Sequence, residues 1–253
     1  MDPVNATSTL YAIGDIHGHI ELLTAAHALI ARDKQSCGNT QAPIIHVGDF
    51  VDRGPDSKAV LDQLIEGQAR GENWVTLKGN HDRLFSMFLD DPHAVDPRLR
   101  PDYTWLHANM GGRVTLASYG VNVGEGRTPA QMHTEALRTV PKAHQDFLHA
   151  LPLFHKAGDC VFVHAGLRPG VALEHQAEDD LVWIRGDFHH DRRDHGALIV
   201  HGHSSIGCAT HYGNRVNIDS GAAWGGPLSA VVITGRSVWL LTDTGRQPLP
   251  MVA

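Results

Sequence analysis

Short apolar runs alternate with amphipathic stretches through the first third of the chain. Thr9 to Ile13 (TLYAI) reads as a short buried strand. From Ile20 to Arg32 the apolar positions Ile20, Leu22, Leu23, Ala26, Leu29 and Ile30, with His27, fall at helical spacing. Ile44 to Val47 is a second strand, Ala59 to Ala69 a helix, Trp74 to Leu77 a third strand, and about Arg83 to Leu89 a further helix. This β-α-β-α-β-α rhythm predicts an α/β layered domain with a largely parallel first sheet.

The pattern then changes. Asp90 to Pro101 is dense in Asp, Pro and Arg and reads as a loop. Tyr103 to Tyr119 and Pro129 to Leu151 read as mostly helical, with breaks at Gly111-Gly112 and Gly124-Glu125-Gly126. Pro141 suits the first turn of a helix continuing through His149. Residues 90–150 are therefore expected to be a helical insertion over one end of the sheet, within a single domain spanning 1–253. Strands return at Leu153 to Lys156, Cys160 to Val163, Ala197 to Val200, Arg215 to Ile218, Leu228 to Ile233 and Val238 to Thr242, and their short spacing predicts a second, mixed sheet.

Composition narrows the class of protein. A net charge of -7 argues against a nucleic-acid partner. No apolar run approaches the roughly 20 residues a membrane-spanning helix needs. Met1 to Ser8 lacks a basic-then-apolar signal pattern. Cys37, Cys160 and Cys208 are scattered and odd in number, as for free thiols in a reducing cytoplasm. Histidine is the outlier with 19 residues, so the positions of those histidines decide what they do.

The histidines that matter sit where strands end. Gly14-Asp15-Ile16-His17-Gly18 follows the first strand, Gly48-Asp49-Phe50-Val51-Asp52-Arg53-Gly54 the second and Gly79-Asn80-His81-Asp82 the third. Farther on, Val163-His164-Ala165-Gly166 and His201-Gly202-His203 each close a strand. Loops at the carboxyl ends of strands are where open α/β sheets build their sites. Carboxylate and amide oxygens mixed with imidazoles suit Mn, Fe or Zn rather than Ca. Any one segment could be a solvated turn or a capping Asp. Five at successive strand ends point to one dinuclear site, with metals about 3.5–4 Å apart.

With GDxHG, GDxVDRG and GNH[DE] in this order, separated by 29 and then 24 residues, the chain resembles the phosphoprotein phosphatase family of the calcineurin-like metallophosphoesterases. The likeness continues through VHAG at 163–166, WIR at 183–185 and HGHS at 201–204, and is nearest to compact bacterial serine/threonine phosphatases of the Rhizobiales-like group. The resemblance implies a central β-sandwich flanked by helices and two transition-metal ions, divalent or trivalent. It implies Asp15 and His17 on the first metal, Asp49 bridging, and Asn80, His164 and His203 on the second. His203 is preferred to His201 because the family's late ligand is second in its Gly-His pair. His81 would be the general acid with Asp82 orienting it, and Arg53 and Arg185 would clamp phosphate oxygens. The third motif ends in Asp82 where Glu is common, which shortens the carboxylate's reach. The long C-terminal loop of the large eukaryotic enzymes has no clear counterpart, so their inhibitor sensitivity and regulatory-subunit binding do not carry over.

The implied reaction is hydrolysis of a phosphomonoester by in-line attack of a bridging hydroxide, on a phosphorylated protein or peptide: phosphoserine or phosphothreonine, with phosphotyrosine in addition. Two other readings stay open, a symmetrical bis(5′-nucleosyl)-tetraphosphatase and a catalytically silent metal-binding module. The intact Asp52-Arg53-Gly54 leans away from the former, and the complete ligand set with His81 away from the latter. Substrate choice is assigned to the insertion, where Tyr103, His107, Asn109 and Arg113 could face a phosphopeptide or nucleotide, while Trp105 reads as packing. Trp224 either lines the mouth or packs, and His189 to His195 reads as a solvated loop.

Overall fold

The computed structural model describes residues 9–252; the polar stretch Met1 to Ser8 lies outside them. The strand β1 (Thr9–Ile13) shows why so short a run is wholly apolar. Leu10 and Ala12 point into a core shared with a second sheet, while Tyr11 and Ile13 point into a core shared with helices. A strand covered on both faces has no position left for a polar side chain. The same alternation holds in β5 (Cys160–Val163) and β6 (Leu198–His201), where Cys160, Phe162, Leu198 and Val200 face the first sheet and Val161, Val163 and Ile199 face an outer helical layer.

The remaining elements are α1 (Ile20–Cys37), β2 (Ile44–His46), α2 (Ser57–Ala69), β3 (Trp74–Thr76), α3 (Asn80–Asp90), α4 (Gly112–Ser118), α5 (Pro129–Thr139), α6 (Lys142–Ala150), β4 (Phe154–Ala157), α7 (Glu178–Trp183), α8 (Gly186–His189), β7 (Thr210–His211), β8 (Arg215–Asn217), β9 (Ala230–Thr234), β10 (Ser237–Thr242) and β11 (Gly245–Pro248). They build an α/β sandwich of two mixed sheets, ordered β11-β10-β9-β1-β2-β3 and β4-β5-β6-β8-β7, with helices outside. Each sheet holds one parallel triplet, β1-β2-β3 in the first and β5-β6-β8 in the second. The carboxyl ends of both triplets open onto the same edge of the sandwich, where the metal-type side chains of the two halves meet.

Three expectations are corrected. The strands near 228–233 and 238–242 do not join the second sheet: β9 runs antiparallel to β1, with Leu10 opposite Ile233 and Ala12 opposite Val231, and β10 and β11 follow it. Alternation shows which faces of a strand are buried, but not which neighbour takes its hydrogen bonds, and β1 had a free edge to satisfy. Helix α3 starts at Asn80 rather than near Arg83, so the third motif is the helix's first turn. Asp82 there accepts from the Gly79 N–H at 3.0 Å and closes the helix start. Between Tyr103 and Tyr119 only α4 is helical: a left-handed Gly111 (φ 89) sets the chain against the backbone of Arg53, and a Cβ at this position would overlap the Arg53 nitrogen.

The insertion packs onto α2 and α3 rather than standing apart, and its Trp105, Leu116, Tyr119, Met132 and Leu148 share one apolar core with Leu61, Leu64, Phe85 and Phe88. Among the described residues, no helix is long and apolar enough to cross a membrane.

Under the first sheet a hydrogen-bonded relay works only with neutral histidines. Gln63 Nε2 donates to His27 Nδ1 at 2.9 Å, His27 Nε2 donates to His46 Nε2 at 2.9 Å, and His46 Nδ1 donates to the Val75 carbonyl at 3.3 Å. Burial, then the Lys34 charge, pushes His27 down to about 4, and burial followed by His27 pushes His46 well below its ordinary value. The unfolded chain takes up protons near pH 6.5 that the folded chain refuses. Stability is therefore complete above about pH 6.5 and falls as pH drops toward 4, by about 1.4 kcal/mol per pH unit for each such histidine. Urea melts of the parent and of His27→Gln between pH 7 and 4.5 should show a shallower decline in the variant. Parallel curves would remove His27 as a contributor.

Candidate metal centre

Backbone strain marks the site before any side chain is considered. Among the described residues, the non-glycine residues with positive φ are His17, Asp49, Asp52, Arg53 and His203, at 47°, 54°, 74°, 70° and 67°. Such conformations cost about 1–3 kcal/mol each and persist where the surroundings enforce them. Here the enforcement is a lattice of loop hydrogen bonds. The N–H groups of Ile16 and His17 both reach the Asp49 carbonyl, Gly18 N–H reaches Phe50, and Gly202 N–H reaches the His164 carbonyl. Close approach depends on two missing side chains: a Cβ on Gly79 would overlap Asp49 Oδ1, and one on Gly202 would overlap Asp15 Oδ1.

The side chains then converge. Asp49 Oδ2 lies 3.4 Å from His17 Nε2 and 3.4 Å from His164 Nε2. Two groups of donors form around it, His17-Asp49-His81 and Asp49-His164-His203, and all of these residues are buried. Asn80 joins the second group, its Oδ1 at 2.9 Å from His164 Nε2. Asp15 is buried beside them, with Oδ2 accepting from the His203 N–H at 2.9 Å and Oδ1 left without a hydrogen-bond partner.

The donor chemistry fits cations. His17 Nδ1 donates to the Val51 carbonyl at 2.9 Å and His164 Nδ1 to the Val47 carbonyl at 3.0 Å. The Nε2 of His164 therefore carries a lone pair that faces the Asn80 and Asp49 oxygens, themselves acceptors, an arrangement that a bound cation relieves, while the Nε2 lone pair of His17 takes an Arg53 N–H. His203 Nε2 is buried without a partner. Uncompensated negative charge points the same way: burial first, then the charges of Asp219 and Asp49, holds the Asp15 carboxyl well above its ordinary range. For Asp49, burial acts to raise the carboxyl, but the imidazoles of His164, His81, His17 and His203 together outweigh it and hold it below its ordinary range.

Around this centre stand the remaining polar groups. Arg53 lies across it, Nη1 donating to His17 Nε2 at 3.2 Å and Nη2 to His81 Nε2 at 3.1 Å. Arg185 is exposed at the rim and donates to Ser204 Oγ at 3.0 Å. Trp224, 67% exposed, holds its ring 4.5 Å from the Arg53 guanidinium, so it lies at the mouth and not in the core.

One expectation fails here. Asp82 does not touch His81: its carboxylate accepts from the backbone N–H groups of Asp49, Phe50 and Gly79 at 2.8, 2.9 and 3.0 Å. The partner of His81 is Asp52, whose Oδ2 accepts from Nδ1 at 2.6 Å. A helix-start carboxylate at the third position turns back toward its own N-terminus, away from the side chain next to it. The stretch His189 to His195 is largely the expected solvated loop: His190, Arg192, Arg193 and Asp194 are exposed, while His189 and His195 at its ends pack against Phe188. His201 stays outside the donor groups: Nδ1 donates to the Gly202 carbonyl and the ring lies against Phe188 and His189.

Sequence reasoning passed over Asp219. It is buried near the centre, and burial raises its carboxyl, with the Asp49 charge adding to the effect. Its signal was the one used elsewhere, an acid just past a strand, here β8.

The profile of the calcineurin-like phosphoesterases matches residues 8–227. The chain belongs to that family. Its members are metal-dependent phosphoesterases, which accords with the donor groups above. The asymmetrical bis(5′-nucleosyl)-tetraphosphatase PrpE of Anoxybacillus flavithermus is 28% identical over 239 residues, spanning 87% of this chain and 88% of that one. A symmetrical bis(5′-nucleosyl)-tetraphosphatase of Nitrosomonas europaea is 30% identical over 180 residues, 70% of this chain and 53% of that one. The crystal structure of a point mutant of a cold-active protein tyrosine phosphatase superposes with a TM-score of 0.62 at 16% identity, covering 96% of this chain and 81% of that one, a likeness of fold.

Proposed function

We propose that this phosphoesterase hydrolyses phosphomonoesters of poor leaving groups, the phosphoserine and phosphothreonine of proteins, and that it accepts phosphotyrosine as well. The observation that supports this reading is the buried His81–Asp52 pair at 2.6 Å, with His81 Nε2 turned into the space bounded by Arg53, His17 and Asp49. Asp15, His17 and Asp49 would hold one metal, and Asp49, Asn80, His164 and His203 the other; the oxygen and nitrogen donors suit Mn, Fe or Zn. Such metals would neutralise phosphate charge and acidify a bound water. Arg53 and Arg185 then hold the non-bridging oxygens through paired N–H donors. Asp52 fixes the His81 tautomer, and a proton carried on Nε2 is delivered to the leaving alkoxide, whose expulsion without it is slow.

A second reading, hydrolysis of a dinucleoside polyphosphate, is favoured by the near-full-length likeness to the asymmetrical tetraphosphatase and by the exposed indole of Trp224 beside Arg53. An aromatic face beside a phosphate-binding arginine can stack a base, a contact worth about 1–3 kcal/mol. The deciding experiment loads purified protein with Mn²⁺ and compares kcat/KM on phosphoserine, phosphothreonine and phosphotyrosine peptides with that on diadenosine tetraphosphate. Preference for the peptides is expected. Preference for the dinucleotide, with KM raised roughly tenfold in Trp224→Ala on that substrate alone, would install the second reading instead.

A further inference from the structure

The acid's aspartate is not held by its own loop alone. Asp52 is completely buried and sits at a φ of 74°, in the left-handed region. Two residues of the 90–150 insertion reach it. Trp105 Nε1 donates to Oδ2 at 2.8 Å, the same oxygen that takes His81 Nδ1, and Thr115 Oγ1 donates to Oδ1 at 2.7 Å. Thr115 Oγ1 in turn accepts from the Asp52 N–H at 2.8 Å, so one hydroxyl grips both the side chain and the main chain of the aspartate. Ser57 Oγ completes the set, 3.0 Å from Thr115 Oγ1 and 3.1 Å from the Asp52 nitrogen. The indole also ties the aspartate to the helix that carries His81: Trp105 stacks on Phe85 at 5.1 Å and packs on Phe88 at 4.8 Å, both on α3.

We infer that Trp105 and Thr115 are positioning residues for the general acid, so that the insertion is a working part of proton delivery and not only a cover or a substrate-reading surface. The physical ground is directional. A carboxylate with one hydrogen-bond partner would be free to rotate, whereas one with three donors in fixed places presents a single lone pair to His81. That fixes the imidazole's tautomer and the direction of Nε2, and a misplacement of about 1 Å at such a group costs on the order of 100-fold. The donor and acceptor positions are consistent as a set: Thr115 gives its one proton to Oδ1 and receives from the Asp52 N–H and from Ser57.

The inference rests on His81 acting as general acid, and the test separates the two. Thr115→Val removes the hydroxyl at constant shape, Trp105→Phe removes the N–H while keeping an aromatic in the stack, and Thr115→Ser is the rescue. Each is assayed as the Mn²⁺-loaded full chain, on a phosphoserine peptide and on an aryl phosphate, with metal content and thermal stability measured alongside. Thr115→Val and Trp105→Phe should each lower kcat on the phosphoserine peptide by roughly 10- to 100-fold, change the aryl phosphate less than about threefold, and keep their metal. Thr115→Ser should return to near the parent. In a His81→Asn background, Thr115→Val should cause no further loss, because the residue it acts through is gone. Equal losses on both substrates, or full additivity with His81→Asn, overturn the positioning role. If His81→Asn itself shows no difference between alkyl and aryl substrates, the general-acid reading fails first and takes this one with it.

Discussion

Asp49→Asn is expected to lose bound metal and activity together, with kcat/KM falling by at least about 10³-fold on every substrate. Asp49 is the one residue shared by both donor groups, with Oδ2 equidistant at 3.4 Å from His17 Nε2 and His164 Nε2. Asparagine preserves the shape and the acceptor that Oδ1 offers to the His81 N–H at 2.9 Å. It removes the negative charge and leaves a weaker ligand or an N–H₂ pointed at lone pairs. The several kcal/mol of charge stabilisation that a metal pair supplies is lost at about 1.4 kcal/mol per factor of ten. Elemental analysis after dialysis, with circular dichroism to confirm the fold, reads the outcome. A variant that keeps two metals per chain and loses activity regardless would show that Asp49 does something other than bridge.

The second large effect separates leaving groups. His81→Asn should retain metal and lose about 10²–10⁴-fold on alkyl phosphates, where the departing oxygen must be protonated. Aryl phosphates should suffer less, because a phenol ionises near pH ~10 and leaves more readily as its anion. The structure extends this to two neighbouring carboxylates that differ sharply in role. Asp52→Asn should reproduce the alkyl-over-aryl loss, since it is Asp52 that meets Nδ1 of His81. Asp82→Asn should not. Its carboxylate caps three backbone N–H groups, and burial and the Asp49 charge already push it up to about 8, so substitution there should lower thermal stability with the alkyl-to-aryl ratio unchanged. If Asp82→Asn carried the leaving-group split and Asp52→Asn did not, the assignment would be reversed.

The contrast between Asp52 and Asp82 shows where reading the chain succeeds and where it stops. Each belongs to a recognisable motif, and each is an acid within reach of a histidine on paper. The family resemblance implies Asp82, the residue after His81. Yet Asp82 is the third residue of α3, and the helix start turns its carboxylate back on the Gly79 and Asp49 backbone. Asp52 is 29 residues from His81 and meets it only because β2 and β3 run side by side and parallel. The insertion was harder still. Trp105 reads as packing in the sequence, and it does pack, but its indole N–H also reaches Asp52, which no spacing along the chain reveals.

What the sequence determined by itself was the kind of chemistry and its raw materials. Oxygen- and nitrogen-bearing side chains next to a glycine at successive strand ends are a local signal, because a strand and the turn after it are built from consecutive residues. Asp15, His17, Asp49, Asn80 and His164 stand out in that way as candidates, while the preference for His203 over His201 comes from the family resemblance. Tertiary structure alone decided the arrangement: that β9 to β11 join the first sheet, that two parallel triplets open on one edge, and that Asp52, not Asp82, meets His81. Those outcomes depend on hydrogen-bond partners and close approaches between segments far apart in the chain. They are set by which edges and donors remain to be satisfied once the cores have closed, a condition on the whole fold that no single segment carries.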